Sequence, residues 1–571
     1  MNGAQHDSRP AGSTRRVHPM TLAVVRYKLL AVAEEVVEMM VRTCFSPLLN
    51  QSRDFSAVVL DAQSRCVAQA ERVPIHMGAM PFAMRGMCAA FGDDIHPGDI
   101  LIANDPYWGG SHLPDVTLAT PVFRDGRIRL WVANRAHQGD IGGLSAGGYS
   151  PQAREIWHEG LRIPPVRLAE RGVIREDVLR LIIENTRKPA DMRGDLMAQV
   201  ASVTIGAQRL AELFDRYGAD EIEGCVEGIL DAGEASMRAQ LRRARPGRYT
   251  GVSYLEDDGA GHANVPITAH LTIEGDHAEV DFTDCPDQIP AFMNSPYANT
   301  VACTNVAFLY LSDDHQGQND GAARAITLRT RKGSLVDCVS PVPVTGCTTF
   351  SGPVIIEAVL RALEQAAPGG SLAGFARRFR FVIAGKDRDG ASYIWHYFSN
   401  RGGAGGNLKE DGWTNLGCIH NPGGSLSPSV ERTEAGFPLM VERYELRPDS
   451  GGAGRRRGGL GGTYCLRYEG TEDALLNAAG EGLVVPPYGV DGGAPGALHA
   501  YEIVRDGERI TLGGRDTVVR IAPGDLIVCN AAGGGGYGAP GERDRELIAR
   551  DVEYGYVSAD AARKAYGFEN R

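Results

Sequence analysis

The chain has 571 residues, 43% apolar and 23% charged, with a formal net charge of −12 from 59 basic and 71 acidic side chains. That acidic balance excludes a broad nucleic-acid footprint, and no run of about 18 apolar residues is present to span a membrane. The 11 cysteines are odd in number and include no CxxC pair, so neither a disulfide scaffold nor a zinc ribbon follows from them, and a reducing cytosol is the simpler reading.

Residues 1–20 are polar, contain Gly and Pro, and have no apolar core segment, so they read as a mobile tail and not a signal peptide. Apolar residues at three- and four-residue spacing predict a helix over 21–43, with Thr21 as its N-cap. FSAVVL (55–60) and RCVAQA (65–70) predict a first hairpin; VTLATPVF (116–123) and IRLWVANR (128–135) flank Asp125-Gly126 and predict a second. Helical patterns follow over 175–186, 196–217 and 222–243, and Pro246-Gly247 closes them. The texture then changes, so the expected organisation is 1–20, 21–248 and 249–571. VPITAHLTIEG (265–275) and HAEVDFTD (277–284) alternate as a further hairpin, a helix is expected over 355–365, and 544–567 ends the chain as one or two helices. The 72 glycines cluster without period in GGAGG (402–406), GGAGRRRGGLGG (451–462) and AAGGGGYG (531–538), where backbone is expected to lie close to a neighbour. The fold class expected is α+β: a hairpin-rich metal-site domain with flanking helices, then a Gly-rich mixed β region.

The second hairpin carries the chemistry. A two-residue turn at Asp125-Gly126 puts Asp115 opposite Ala136, so His112, Asp115 and His137 share its open end, within about 10 Å of each other along the ladder. On an ideal pleat the two histidines share a face and Asp115 points to the other; Pro114 and the neighbouring glycines are expected to break the pleat and let them converge. A turn at Gln63-Ser64 sets Asp54 at the open end of the first hairpin, and His76 follows shortly after. Two imidazoles and two carboxylates suit a divalent cation such as Zn²⁺, Mn²⁺ or Fe²⁺, used as a Lewis acid or to activate water. The competing reading is that His and Asp in a Gly-rich turn only cap backbone groups. Asp140 in GDIGG reads equally as a ligand or as a turn residue that supports one. Glu155 and His158 in EIWHEG read as proton-transfer candidates or as ordinary packed residues. AAGGGGYG reads as a phosphate cradle or a glycine turn, and Arg455, Arg456 and Arg457 as an anion site or a solvated loop. No GxxxxGK[ST] motif is present.

NDPYWGGSHLPDVT (104–117), RAHQGDIGG (135–143) and EIWHEGLRIPPVRL (155–168) together resemble the hydantoinase B/oxoprolinase family. SRDFSAVVLDAQSRCVAQ (52–69), IHMGAMP (75–81), YELRPDSGGAGRRRGGLGG (444–462) and AAGGGGYG extend the resemblance to nearly the whole chain. It implies Asp54, His112, Asp115 and His137 as ligands of zinc or manganese, with Asp140, Glu155 and His158 left as catalytic candidates. It also implies a hetero-oligomer with a hydantoinase A-type subunit, which binds ATP and phosphorylates the substrate. The expected function is therefore the B-type subunit of an ATP-dependent hydrolase of cyclic amides such as hydantoins, lactams or 5-oxoproline. The alternatives are a subunit of an acetone- or acetophenone-type ketone carboxylase, and a scaffold without chemistry. Trp108 and Gln138 depart from the family pattern.

Overall fold

The computed structural model describes residues 17–569 apart from 71, 260, 312–318 and 371, so most of the expected tail lies outside the described residues. The Pro19–Thr43 helix starts two residues before the expected Thr21: the His18 side chain caps it and Pro19 occupies the first turn, where a missing N–H costs nothing.

β1 (Phe55–Asp61), β2 (Cys66–Gln69), β3 (Ile100–Ala103), β4 (Asp115–Arg124), β5 (Arg127–His137), β6 (Val166–Glu170) and β7 (Val173–Ile174) form a seven-stranded antiparallel sheet in the order β2-β1-β5-β4-β3-β6-β7. Both faces are covered. Phe55, Ala57, Val59 and Val132 pack with the Pro19–Thr43, Pro189–Tyr217 and Ala219–Leu241 helices. Val58, Leu60, Trp131 and Ala133 pack on the other side with Met77, Met80, Met84 and Met87 of the Pro74–Phe91 helix. Burial on both faces explains why β1 reads as a continuous apolar run and not an alternating one. The helix expected over 175–186 is Glu176–Ile183, the one expected from 196 begins at Pro189, and the third spans Ala219–Leu241. The Pro74–Phe91 and Tyr297–Leu309 helices have no counterpart in the sequence reading.

From Gly247 the described strands pair only among themselves. β8 (Gly247–Asp257), β9 (Ala263–Glu274), β10 (His277–Asp281) and β11 (Ile326–Arg329) form a sheet in the order β11-β10-β9-β8, packed on the Tyr297–Leu309 and Gly352–Ala366 helices. β12 (Phe379–Lys386) and β13 (Ser392–His396) belong to a four-stranded sheet that shares an aromatic core with a five-stranded one. In that core Phe379 stacks on Tyr501 at 4.1 Å and Phe381 on Tyr397 at 4.4 Å. Two short helices, Arg545–Glu553 and Ala559–Tyr566, end the chain.

The three glycine clusters lie together as extended segments bonded to one another. Gly406 donates to the Gly535 carbonyl (2.9 Å), Gly452 to Gly534 (2.8 Å) and Gly534 to Gly459 (2.9 Å). A Cβ on Gly534 would lie 1.8 Å from the Ala404 carbonyl oxygen, and one on Gly405 1.8 Å from that of Ala373, so no other residue fits. Of the two readings of AAGGGGYG, this supports the glycine turn packed on the core and not the phosphate cradle: every amide from Gly533 to Gly538 is spent on a protein carbonyl. Arg457 is likewise internal, paired with Asp551 at 3.2 Å, and Arg455 meets Glu542 at 3.4 Å. Among the described residues no helix is long and apolar enough to cross a membrane.

Candidate metal centre

The β4–β5 hairpin turns at Asp125 and Gly126, both with positive φ (51° and 72°), as a two-residue turn of matching twist requires. The strands start as the sequence suggests, Arg124 opposite Arg127 and Phe123 opposite Ile128. The register then shifts: Val122 faces Leu130, leaving Arg129 as an extra residue in β5. This bulge moves every later pair by one, so Asp115 faces His137 and not Ala136. Directly opposed residues point to the same side of a sheet. The convergence expected from a broken pleat at Pro114 is produced by this register shift, eight residues away from His137.

His112 turns back onto the pair, its carbonyl accepting from the Asp115 amide at 3.0 Å. Its Nε2 lies 2.8 Å from the Asp115 carboxylate and 3.2 Å from His137 Nδ1, and His137 Nδ1 lies 3.1 Å from the same carboxylate. All three side chains are buried. Such edges match neighbouring ligands around one small cation with bonds of about 2.0–2.2 Å, so the residues fit a divalent ion. The His112 Nδ1–H donates to the Thr345 carbonyl at 2.7 Å, which leaves Nε2 with its lone pair toward the triad. Ser111 donates to the second Asp115 oxygen at 2.5 Å, and buried Arg135 lies behind it, 3.4 Å from the Ser111 hydroxyl. Burial by itself would raise the Asp115 carboxyl; the adjacent His112 and His76 outweigh it and hold it well below the usual range. Burial lowers His137, which keeps that imidazole neutral and able to bind a cation.

Asp54 is 9% exposed and lines the cavity that His137 opens into. Its carbonyl accepts from the His137 amide at 3.0 Å, so pairing of β1 with β5 brings the two hairpins together as expected. Its carboxylate is outside the group of three whose ligand atoms all lie within 4.8 Å of one another. His76, on the Pro74–Phe91 helix, is 3.4 Å from Asp115.

The structure does not bring Glu155 and His158 to the triad. They flank a surface turn, with side chains 46% and 37% exposed, 3.5 Å apart. The buried acid of EIWHEG is Glu159. Its carboxylate accepts the amides of Val344 (2.9 Å) and Thr345 (2.7 Å), so it holds the carbonyl that orients His112, and burial pushes it up to about 7. Asp140 is a loop organiser: it accepts the amides of Gly142, Gly147 and Arg187 and pairs with the Arg187 guanidinium at 3.1 Å.

The sequence reading missed the cavity wall that faces the triad. Tyr149 lies 5.9 Å, ring to ring, from both His112 and His137. Thr348 and Thr349 come from a π-helical turn, Cys347–Ser351, ahead of the Gly352–Ala366 helix. Arg378, Arg380 and Arg401 complete the wall of this cavity. A signal for two of them exists: in RFRF (378–381) the arginines alternate with Phe379 and Phe381, which enter the aromatic core, so the arginines face the other way.

A buried two-histidine, one-aspartate centre at a hairpin end, in a mixed α+β chain, defines a candidate metalloenzyme. The chain belongs to the Hydantoinase B/oxoprolinase family, whose profile matches residues 18–540. It is 36% identical to the beta subunit of caprolactamase from Pseudomonas jessenii, over 96% of each chain. A putative D-/L-hydantoinase subunit of a Pseudomonas species (strain NS671) is 27% identical, over 97% of this chain and 95% of its own. The crystal structure of ATP-dependent caprolactamase from Pseudomonas jessenii superposes with a TM-score of 0.92 at 33% identity, covering 98% of this chain and 97% of that one.

Proposed function

We propose that this chain is the B-type subunit of an ATP-dependent cyclic amide hydrolase, working in the cytoplasm with a hydantoinase A-type subunit that uses the ATP. The observation that carries the reading is the end-to-end likeness to the beta subunit of caprolactamase. That the caprolactamase and hydantoinase relatives are themselves single subunits of larger enzymes supports a separate ATP-using partner, and the eleven free thiols support a reducing compartment.

A lactam carbonyl is a poor electrophile because amide resonance feeds electrons into it. Phosphorylation of its oxygen by the partner, at the expense of ATP, leaves a carbon that water can attack; the ring C–N bond then breaks as nitrogen takes up a proton, and a second water releases inorganic phosphate from the resulting acyl phosphate to leave the carboxylate. His112, Asp115 and His137 would hold zinc or manganese, which supplies Lewis-acid activation when bound, and Asp54 on the cavity wall would complete the set by turning its carboxylate toward them. Thr345 and Glu159 keep His112 in its working tautomer. Ser111 and Arg135 support the charge of Asp115. Asp140 fixes the loop that follows His137.

The test is co-expression with an A-type subunit and assay of ATP-dependent opening of a lactam or hydantoin. His112→Ala and Asp115→Ala should each lower the rate by about a thousandfold or more and lose the bound metal. Undiminished ring opening in both variants rules out the site. Bicarbonate-dependent consumption of ATP with a ketone, and no ring opening, moves the assignment to a carboxylase.

A further inference from the structure

The cavity beside the triad has an unusual charge balance. Arg378, Arg380 and Arg401 are 6%, 4% and 4% exposed, and among the described residues none has a carboxylate within ion-pair distance. Arg401 is held by carbonyls: Phe398 (3.1 Å), Ser425 (2.5 Å) and Leu426 (2.7 Å). Burial, with Arg378 as a like-charged neighbour, lowers it to about 9. Arg378 donates to the Tyr397 carbonyl at 3.0 Å. Arg380 donates to His396 Nδ1 at 3.0 Å, while its guanidinium carbon sits 3.6 Å above the Tyr149 ring. A guanidinium carries five N–H donors, so Arg378 and Arg380 keep most of theirs for the cavity.

Two further buried donor-acceptor atoms on the same wall, His420 Nδ1 and His76 Nδ1, have no partner. The carboxylates at the site are Asp54 and Asp115. Their two charges match one divalent cation and leave the three guanidiniums uncompensated. A buried charge without a counter-charge is costly, and planar forks of this kind suit the oxygens of a phosphoryl group.

We infer that Arg378, Arg380 and Arg401 seat a phosphoryl group next to the metal ligands, so that the cavity takes the phosphorylated form of its substrate in preference to the neutral cyclic amide. Tyr149 lies between the two halves of this site, under the Arg380 guanidinium on one side and edge-on or tilted to the triad imidazoles on the other. The inference rests on the hydrolase reading for its substrate but not for its binding residues.

The experiment titrates inorganic phosphate, with acetate as a carboxylate control, into the full chain as purified and again after metal is stripped, so that the anion cannot simply bind the cation. Phosphate should saturate the stripped chain. Arg378→Gln and Arg380→Gln should each weaken it by about tenfold or more, with partial recovery in Arg380→Lys, and acetate should bind at least about tenfold more weakly than phosphate. Without phosphate, the Gln variants should melt no lower than the wild type, since each removes an unpaired buried charge; arginines that only brace the fold would give a lower melting temperature. If a Gln variant fails to fold, the other and Arg380→Lys carry the comparison. Phosphate affinity unchanged in the variants, no saturable binding in the wild type, or acetate binding as tightly as phosphate overturns the inference. Ring opening that needs His112 while phosphate binding ignores the arginines defeats this inference alone. Phosphate binding that needs the arginines, in a complex that opens no ring, defeats the hydrolase reading alone.

Discussion

The open end of the β4–β5 hairpin and the glycine bundle are both largely buried, yet they are built on opposite terms. At the hairpin end, large polar side chains meet across 2.8 to 3.2 Å, and each contact is held by a second group: Thr345 on His112, Ser111 on Asp115. In the bundle there are hardly any side chains to meet. Segments 402–406, 451–461 and 531–538 pack backbone to backbone, and their hydrogen bonds are the structure. The difference teaches where each region tolerates change. The hairpin depends on register, because one residue of slip turns a side chain to the other face. The bundle depends on volume, because a single methyl has no room.

The largest effect should come from the bundle. Gly534→Ala and Gly405→Ala each drive a Cβ to 1.8 Å from a backbone carbonyl oxygen, and should cost roughly 3 kcal/mol or more. Urea denaturation or soluble yield reads this; wild-type stability in both variants would show that the segments are not packed at contact distance.

A register test on the hairpin comes next. Inserting one residue after Arg129 should slide β5 so that Ala136 faces Asp115, and weaken metal binding by about a hundredfold. Deleting Arg129 removes the bulge but keeps Val122 opposite Leu130, so Asp115 should still face His137 and metal content should survive. Metal retained after the insertion, by elemental analysis of the purified protein, would mean that ladder register does not set the site.

The smallest effect concerns Glu159. Its folded-state pKa is raised by burial to about 7 from an ordinary 4.5. Between those values the folded chain holds a proton that the unfolded chain has lost, so stability falls as pH rises through the window and levels off above it. The loss attributable to this group is at most roughly 3 kcal/mol. Glu159→Gln should flatten that slope in melts between pH 5 and 8. An unchanged slope would place the pH dependence elsewhere.

Much of the site was legible locally. Asp125-Gly126 fixed the turn, the flanking apolar runs gave the strands, and His112, Asp115 and His137 stood out at the open end. What misled was the assumption of a regular ladder; the bulge at Arg129 has no signature in the residue types. The Pro74–Phe91 helix contains Gly78, Pro81 and Gly86, residue types of low helix propensity that blur its pattern in the sequence. Its glycines are there for contact: a Cβ on Gly78 would lie 2.8 Å from that of Ala302, and one on Gly86 2.0 Å from the Trp108 carbonyl oxygen. In EIWHEG, Glu155 and Glu159 look equivalent as residues, and only the fold decides that Glu159 is buried under Val344 and Thr345.

The sequence by itself determined the candidate metal-binding residue types, the hairpins that carry them and the glycine segments that exclude side chains, because turn preference, strand pattern and glycine's missing Cβ act over a few residues. The tertiary structure alone decided that Asp115 faces His137, that residue 345 orients residue 112, and that three arginines from the second half of the chain line a cavity beside candidate ligands from the first. Those facts depend on packing between segments hundreds of residues apart, and residue type in one segment carries no record of what will lie against it.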